Sequence, residues 1–454
     1  MLVGILGMVV AIVVMIVGAY RGLKSIPLTL LAGTVVMVTN GLPIWTSLST
    51  AYAPGFGNVI ASYFFIFVAS AIYAMVMEKT GCAAAIGYKF IDWFGTKNVV
   101  MVGILFVGLL TYGGVNLFVV IYATLPILFI MLREANLPRH LTILCLGVGS
   151  STITMTTLPG TPALTNVIPG QFLGTPLTSA PVFSLILAAM FFGLCVVYIN
   201  FAVKDARKKG EVWTYPEGYD ASLLEIDRAQ LPAAPIAFTP IVVLIVFILA
   251  SSALRDTMNL GYAKDAGLLA TLAMCIATVL CILLNWGKIK EIGGLSALKD
   301  MFGEGSLNGI SAIIGLASVV AFGTLVSASQ AFQDVVAFAM SLDLSPYYKG
   351  VVATSIVSLI TGSSSGGVRI ALSNISEYLL NSGANMEVMH RCMAMAADSL
   401  DSLPHAGGIF LMFSLVGVTH KEAYKHGWWT TCVIPTIMVI IASIAATIIW
   451  PAVV

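Results

Sequence analysis

Apolar stretches of about 20 residues, long enough to cross a bilayer as a helix, recur along the whole chain. The chain has 454 residues, of which 59% are hydrophobic and only 9% are charged, whereas ordinary globular proteins are roughly a quarter charged. Lipid cannot hydrogen-bond an exposed N–H or C=O group, so a spanning chain must satisfy its backbone internally, and stretches this long favour helices. The sequence therefore predicts an all-α integral membrane protein, and the net charge of +1 argues against nucleic acid as a partner.

The apolar segments follow the same order in two halves, 1–203 and 234–454, which a polar cytoplasmic linker at 204–233 separates. Each half is predicted to hold three spans, an amphipathic helix, a helical hairpin, a broken span and a final span. Unbroken spans are predicted at Leu2–Gly18, Ile26–Ile44, Asn58–Met77, Val182–Phe201, Ala234–Ala253, Ala266–Trp286, Gly309–Ser327 and Trp429–Trp450, hairpins at 98–132 and 349–381, and broken spans at 140–168 and 388–418. If each hairpin is re-entrant, each half crosses five times. Because five is odd, the second repeat is inverted relative to the first, as in many secondary transporters.

Each hairpin is predicted from a polar, glycine-rich tip between two apolar segments. Both tips contain Gly-Gly-Val, at 113–115 and 366–368, and the second helix of each hairpin is predicted to begin at the valine. A helix N-terminus offers free N–H groups to an anion, and glycine lets that anion approach the backbone. Close helix packing is the alternative role for the glycines. The candidate substrate ligands at the tips are Thr111, Gly113, Gly114, Asn116, Ser364, Ser365, Gly366 and Gly367.

The first broken span combines many hydroxyl groups with prolines. Pro159 and Pro162 cannot continue a regular helix. One interpretation is an unwound stretch that faces the substrate, with Ser150, Ser151 and Thr161 as candidate ligands. The other is a proline kink whose hydroxyls bond back to the helix.

The second broken span carries ionisable groups instead. Asp398 and Asp401 are three residues apart, which predicts one shared helix face at the C-terminal end of a half-helix. Carboxylates at membrane depth mark ion pathways, so both are candidates for coupling to H⁺ or Na⁺. His405 is a candidate proton relay or substrate ligand. Arg369 could clamp a substrate carboxylate, or it could form a structural ion pair with one of the aspartates.

The distribution of basic residues predicts the orientation in the membrane. With the N-terminus outside, most of the twenty-two basic residues fall in cytoplasmic loops, as the positive-inside rule expects. Arg255, Lys264, Lys349 and Arg391 fall outside, and only Arg369 is left at membrane depth. This arrangement opens the first hairpin to the cytoplasm and the second to the outside of a bacterial-type cytoplasmic membrane. Both termini are predicted to be external.

The other histidines and the seven cysteines show no pattern of a site. His140, His390, His420 and His426 fall at loop edges and are predicted to be solvated. The cysteines are scattered, mostly within apolar runs, and form no Cys-x-x-Cys motif or Cys–His cluster. They are predicted to pack between helices, with no metal site, no disulfide framework and no cofactor.

Four motifs carry a family resemblance. They are Tyr-Gly-Gly-Val-Asn (112–116), Thr-Leu-Pro-Gly-Thr-Pro-Ala (157–163), Asn-Val-Ile-Pro-Gly-Gln-Phe-Leu-Gly-Thr-Pro (166–176) and Asp-Ser-Leu-Pro-His-Ala-Gly-Gly (401–408). In this order they resemble the gluconate permease (GntP) family of the ion transporter superfamily, over essentially the whole chain. The third motif looks more like the hydroxybutyrate- or citrate-type permease branch than the gluconate carriers.

The resemblance implies a cytoplasmic-membrane symporter for organic acids, usually coupled to protons. It also implies a homodimer, in which a transport domain with both hairpins moves against a scaffold. The Ser-Asn-Thr tips of the superfamily's dicarboxylate carriers are absent, so the resemblance implies no Na⁺ site here. The leading hypothesis is an elevator-type symporter of a small hydroxy- or keto-carboxylate. The alternatives are a Na⁺-coupled transporter, a passive organic-anion channel, and a membrane enzyme that uses His405 with Asp401.

Overall fold

The computed structural model describes residues 2–115, 117–218, 227–254 and 257–452. Within these residues the chain is helical and contains no strand, and eight helices are long and apolar enough to cross a membrane. A ninth candidate is the pair Cys82–Phe94 and Thr96–Tyr112, which bends by 106°. The prediction of an all-α integral membrane protein with many spans is confirmed.

We label nineteen helices within the described residues, and the third and the last each contain a π-helical turn. They are α1 Leu2–Tyr20, α2 Ser25–Thr39, α3 Ile44–Lys79, α4 Cys82–Phe94, α5 Val99–Tyr112, α6 Leu117–Glu134, α7 Thr142–Ser150, α8 Leu164–Leu173, α9 Pro181–Lys208, α10 Ala234–Leu254, α11 Ala266–Leu284, α12 Trp286–Glu291, α13 Leu295–Ser327, α14 Gln330–Ser341, α15 Pro346–Thr361, α16 Ser364–Leu380, α17 Met386–Ala397, α18 Gly407–Val416 and α19 His420–Ile449. The first hairpin is α5 with α6, and the second is α15 with α16. The first break lies between α7 and α8, and the second lies between α17 and α18.

The second predicted span, Ile26–Ile44, is wrong at its C-terminal end. The helix ends at Thr39, and Gly41 turns the chain with a φ of 63°, in the left-handed region that glycine adopts without strain. Ile44 instead begins α3, well before the predicted start of the third span at Asn58. The helix that contains the span predicted at Gly309–Ser327 likewise begins earlier. Helix α13 starts at Leu295, and its first part contains more charged residues than the predicted span.

The two longest helices, α3 and α13, make the most extensive contact between any two helices in the described part of the chain. Glycines allow their backbones to approach closely, as small residues do between membrane helices. A Cβ atom on Gly309 would lie 2.8 Å from the carbonyl oxygen of Phe67. A Cβ atom on Gly305 would lie 2.8 Å from the Cα atom of Ile72. This pair joins the two halves of the chain in one helical body.

Helices α9 and α19 run antiparallel through that body. At the start of α9, Phe183 packs against Trp450, with ring centroids 5.4 Å apart. Further along α9, the Tyr198 hydroxyl lies 3.1 Å from Nδ1 of His426, near the start of α19. Since α9 has 28 residues, it is about 42 Å long, and these contacts mark two well-separated ends of the molecule.

The open ends of the two hairpins lie at these two opposite ends. Beside the end of α6, the N–H of Trp213 donates to Oδ1 of Asn136 over 3.3 Å, and Trp213 belongs to the segment that follows α9. Just before α15, Ser345 Oγ lies 3.1 Å from Oγ1 of Thr447, near the end of α19. The first hairpin therefore opens toward the C-terminal end of α9, and the second opens toward its N-terminal end.

Candidate functional site

The tip of the first hairpin lies against the break of the same half. After α5 ends at Tyr112, Gly114 turns the chain with a φ of 92°. The Tyr112 hydroxyl donates to the carbonyl oxygen of Pro159 over 3.1 Å. A Cβ atom on Gly114 would lie 3.0 Å from Cγ of Pro162. Asn116, a predicted ligand, lies outside the described residues.

The hydroxyls around the first tip and break bond mainly to backbone nearby in sequence. Thr111 and Ser150 each donate to a carbonyl four residues earlier, over 3.0 and 2.6 Å. Ser151 is buried with its Oγ 3.4 Å from that of Ser150, and Thr161 Oγ1 accepts the N–H of Ala163 over 3.4 Å. At Thr111 and Ser150 this is the bonding expected of hydroxyls that bond back to their own helix. Gly113 caps the end of α5 through its N–H.

The second hairpin turns differently from the first. Gly362 makes the turn with a φ of 59°, and α16 begins at Ser364, before the glycine pair. The prediction that this helix begins at Val368 is therefore wrong. The physical reason is the N-cap: Oγ of Ser363 accepts the N–H of Gly366 over 3.2 Å, and serine is among the preferred capping residues. The first turn of α16 thus contains Ser365 and the glycine pair.

Gly367 lies where the two helices of the second hairpin touch. A Cβ atom there would lie 2.1 Å from Oγ and 2.6 Å from Cα of Ser358. The Ser358 hydroxyl is buried and has no hydrogen-bond partner among the described residues. Close helix packing, the alternative to ligand binding, therefore explains Gly367 in this structure.

Gly367→Ala is expected to force α15 and α16 apart, because the clash involves the Cα of Ser358 as well as its side chain. Overpacking of this kind costs about 1–3 kcal/mol, so the thermal unfolding midpoint of the detergent-purified protein should fall. Gly408→Ala is the matched control, since a Cβ on Gly408 meets nothing within 4 Å. Equal midpoints for the two variants would contradict the close contact at Gly367.

Asp401 lies at the N-terminus of α16. The prediction that it shares a helix face with Asp398 is wrong, because α17 ends at Ala397 with Asp398 as its C-cap. The Asp401 carboxylate interacts with the backbone and side chain of Ser364, and it accepts the Ser402 hydroxyl over 2.9 Å. Free N–H groups at a helix N-terminus stabilise a carboxylate. The second break therefore places an acidic side chain where the second tip offers its N–H groups.

Asp398 has a buried carboxylate oxygen without a partner. The residue is 3% exposed, and its Oδ2 makes no hydrogen bond within the described residues. Its electrostatic neighbours include Asp401 and Cys195, the latter on α9. An unpaired carboxylate oxygen in the interior is costly unless it binds a proton or a cation. Asp398 is therefore well suited to hold a proton or a cation.

His405 joins the second break to the second hairpin. The ring is buried, and its Nε2 lies 2.9 Å from the carbonyl oxygen of Leu359 on α15. Because a carbonyl only accepts, Nε2 carries the proton, and Nδ1 of the neutral ring is an acceptor. Nδ1 is buried and has no partner among the described residues. It can therefore accept a hydrogen bond from a hydroxyl group of a bound ligand.

Arg369 is exposed on α16. Within the described residues it makes no ion pair with Asp398 or Asp401, and it is not among the largest electrostatic influences on either carboxyl group. The structural ion pair considered from the sequence is therefore not formed here. The guanidinium group is left free to meet an anion.

The sequence model of the family described as GntP family permease matches residues 1–453 of this chain. The chain belongs to the GntP permease family. It is also 29% identical over 437 residues to "Uncharacterized transporter YxjC" of Bacillus subtilis (strain 168), which covers 90% of this chain and 91% of the relative. This GntP family protein is therefore a multi-span membrane transporter rather than an enzyme, as the sequence predicted.

The site of this GntP permease includes a buried arginine that the sequence analysis misplaced. Arg391 was predicted to lie on the outer side, yet it is fully buried in α17. One guanidinium nitrogen donates to the Thr156 carbonyl over 2.7 Å and to Asn166 Oδ1 over 3.1 Å. The other lies 3.4 Å from the carbonyl oxygens of both Leu177 and Ser179. Neutral oxygens of the first break, of α8 and of the loop after α8 thus hold this charge, and we call these contacts of α17 with the first half the clamp.

His390 strengthens the same clamp. Predicted to be solvated, it is buried, with Nε2 2.8 Å from Asn166 Oδ1 and Nδ1 2.7 Å from Thr175 Oγ1. Asn166 in turn donates to the Thr161 carbonyl over 2.8 Å. The predicted broken span at 388–418 already included both His390 and the arginine beside it. This predicted span indicated that both residues lie within the membrane. The assignment of basic residues to loops did not take it into account and placed Arg391 outside.

Proposed function

We propose that this GntP permease is a proton-coupled symporter of a small hydroxy- or keto-carboxylate. The observation that carries the proposal is a pair of unpartnered buried atoms, Oδ2 of Asp398 and Nδ1 of His405, at the junction of the second hairpin and the second break. The carboxylate oxygen suits a proton, and the imidazole nitrogen suits a substrate hydroxyl. The second break thus offers one group that can hold the coupling ion and, seven residues later in the chain, one that can bind the substrate.

The charge at the N-terminus of α16 gives a physical reason for coupling. While Asp401 is ionised there, it repels an incoming carboxylate. Protonation of the aspartate pair removes negative charge and leaves the helix N-terminus, Ser365 and Arg369 to bind the anion. In this scheme the proton binds first, and proton and anion cross together. One Na⁺ at Asp398 would likewise remove one negative charge from the pair.

Alternating access is proposed to follow the elevator plan of inverted repeats. The opposite open ends of the two hairpins support an inverted arrangement. The contact of α3 with α13 is suited to a scaffold, and the hydrogen bonds of Arg391 tie both breaks into one unit that can move against it. We further propose a homodimer in a bacterial-type cytoplasmic membrane, with external termini and the linker in the cytoplasm.

The motif at 166–176 supports a substrate of the hydroxybutyrate or citrate type over gluconate. This stretch forms most of α8. Its Asn166 is fully buried, and the side-chain oxygen of Asn166 already accepts a hydrogen bond from Arg391 of α17. A shorter acid with one hydroxyl group needs few polar partners. Nδ1 of His405, an acceptor without a partner among the described residues, can accept the hydrogen bond of that hydroxyl.

Uptake by purified protein in proteoliposomes tests the proposal. Labelled hydroxy- and keto-acids would be offered with a pH gradient and a Na⁺ gradient imposed separately. We expect uphill accumulation of at least one acid when the outside is acidic, and none from the Na⁺ gradient alone. Accumulation driven only by Na⁺ would overturn proton coupling. Equilibration without accumulation under either gradient would indicate a passive channel.

A further inference from the structure

A second cluster of titratable groups lies apart from the site described above. Nε2 of His140 is 2.8 Å from Oε2 of Glu211, and Nδ1 of His140 is 2.9 Å from Nε2 of His426. Nδ1 of His426 is 3.1 Å from the hydroxyl of Tyr198. The imidazole rings stack with centroids 4.9 Å apart. We call these four residues the histidine array; both of its histidines were predicted to be solvated, yet the structure buries His426 and leaves His140 only partly exposed.

The histidine array has one consistent order of hydrogen bonds when both rings are neutral. His140 must donate through Nε2, because the ionised carboxylate of Glu211 only accepts. Its Nδ1 then accepts from Nε2–H of His426. The Tyr198 hydroxyl lies 3.1 Å both from Nδ1 of His426 and from the carbonyl oxygen of Lys425, and in this order it donates to the ring. Every ring nitrogen of the array has a partner in this order. The array is therefore a continuous hydrogen-bonded chain from a tyrosine to a carboxylate.

One added proton can pass along this chain by successive transfers. A proton arriving at the Tyr198 oxygen releases the hydroxyl proton to Nδ1 of His426. His426 then passes its Nε2 proton to Nδ1 of His140, and His140 passes its Nε2 proton to Glu211. Glu211 becomes a neutral acid and the tyrosine keeps one proton, so charge and atoms balance. The Glu211 side chain is 30% exposed, so it can release the proton to water.

The two helices that carry Tyr198 and His426 of the histidine array also border the aspartate pair. On α9, Cys195 interacts electrostatically with Asp398, and Tyr198 follows three residues later, about 4.5 Å further along the helix. On α19, Cys432 interacts with both Asp398 and Asp401, and His426 lies nearer the helix start. The two helices that border the proposed coupling site thus lead to the array.

We propose that the histidine array is the route by which the coupling proton passes between the aspartate pair and the water at the C-terminal end of α9. The inference rests on the proposed function, since it presumes that the aspartates carry a proton. Tyr198, His426, His140 and Glu211 act in it as proton carriers, whereas substrate binding requires none of them.

The charges around the array favour neutral histidines between transfers. Burial is the main cause that lowers the pKa of His140, and Lys425 of α19 acts in the same direction. Glu211 and Glu422 oppose this shift. His426 faces the same Lys425 and, from the end of α9, Lys209. After one passage both rings are neutral again, but each carries its proton on Nδ1, so a further proton in the same direction requires both rings to return to the Nε2–H form between passages.

The test compares two transport modes in proteoliposomes, using as substrate an acid that the unaltered protein accumulates. His426→Gln and His140→Gln keep polar side chains but cannot carry a proton in this way. We expect proton-driven net uptake to slow by at least about tenfold. Exchange of labelled for unlabelled acid should stay near its normal rate, because the coupling proton remains bound during exchange. Lys421→Gln, an exposed neighbour on α19, is the control and should leave both rates unchanged.

Three other outcomes would show whether the proposed relay or the proposed function is wrong. Normal net uptake in both histidine variants would overturn the relay while leaving proton coupling intact. Equal loss of exchange and net uptake, with a lowered unfolding midpoint, would overturn it in favour of a structural role. Absence of proton-driven uptake in the unaltered protein would instead refute the proposed function on which the relay depends. Tyr198→Phe should reproduce the effect of the histidine variants, because it removes only the hydroxyl that opens the chain.

Discussion

Replacing Asp398 and Asp401 together with asparagine is expected to abolish uphill uptake while substrate exchange continues. Asparagine has nearly the shape of a protonated aspartate, but it cannot bind and release a proton. With one proton per anion, a pH difference of about one unit would otherwise support roughly tenfold accumulation. The double variant should reach only equilibration under that gradient. Its exchange should persist because the negative charge beside the N-terminus of α16 is gone.

The same assay needs a control for the loss of two carboxylates. Asp343→Asn removes an exposed carboxylate from the loop before α15, and it should leave accumulation unchanged. Asp401→Asn alone should make the apparent affinity for the acid less dependent on pH, since the group that competes with the anion is neutral throughout. Full uphill uptake by the double variant would exclude these carboxylates as the coupling groups.

Arg391→Met should produce the largest loss of stability of any single change proposed. It leaves the Thr156, Leu177 and Ser179 carbonyls, and one acceptor on Asn166, without this donor inside the protein. The Thr156 carbonyl is then left without a donor among the described residues, and a buried group that loses its partner costs about 1–3 kcal/mol. The Leu177, Ser179 and Asn166 oxygens each keep another donor, so the loss of one bond at each adds a smaller amount. The folded yield and the unfolding midpoint should both fall sharply, and uptake should fall with them.

Thiol reactivity offers a direct measurement of this loss. Six of the seven cysteines are buried and Cys275 is exposed, so a thiol-reactive dye should report unfolding as a rise in labelling. Arg369→Met is the matched control, because Arg369 is exposed and outside the clamp; its midpoint should stay normal. Arg391→Lys should be intermediate, since a single ammonium group cannot reach acceptors arranged around a planar guanidinium. A normal midpoint for Arg391→Met would show that the clamp does not hold the breaks together.

The class of fold could be predicted from the sequence, because long apolar segments with few charges enter the membrane and must satisfy their backbone hydrogen bonds there as helices. The sequence also located the turn at the first tip and the interruptions near Pro159 and Pro404, since proline and glycine act on the local backbone. The start of α16 was wrong because a single capping serine, Ser363, moved the helix boundary ahead of the glycine pair. Predictions thus succeeded where residues nearby in sequence determine the backbone conformation.

Predictions failed where distant segments meet. A histidine or arginine at a predicted loop edge gives no sign of the partner that buries it. His420 was expected in solvent, yet it is buried with Nε2 2.9 Å from the Pro404 carbonyl oxygen. The clamp around Arg391 and the histidine array both join residues more than half of a repeat apart, so only the fold reveals them. The candidate aspartates and His405 could be chosen from the sequence, but their unpartnered atoms could not.

The clamp also imposes an order on biosynthesis. The Arg391 guanidinium binds the Thr156 carbonyl across 235 residues of chain. At about 5–20 residues per second, a ribosome needs on the order of 10–50 s to make that interval. Throughout this time the first break stands in the nascent protein without the donors that later hold it. The first half is therefore an unfinished fold until α17 arrives, and a chain that stops before α17 leaves the cell a membrane-embedded fragment with open polar groups for its proteases to remove.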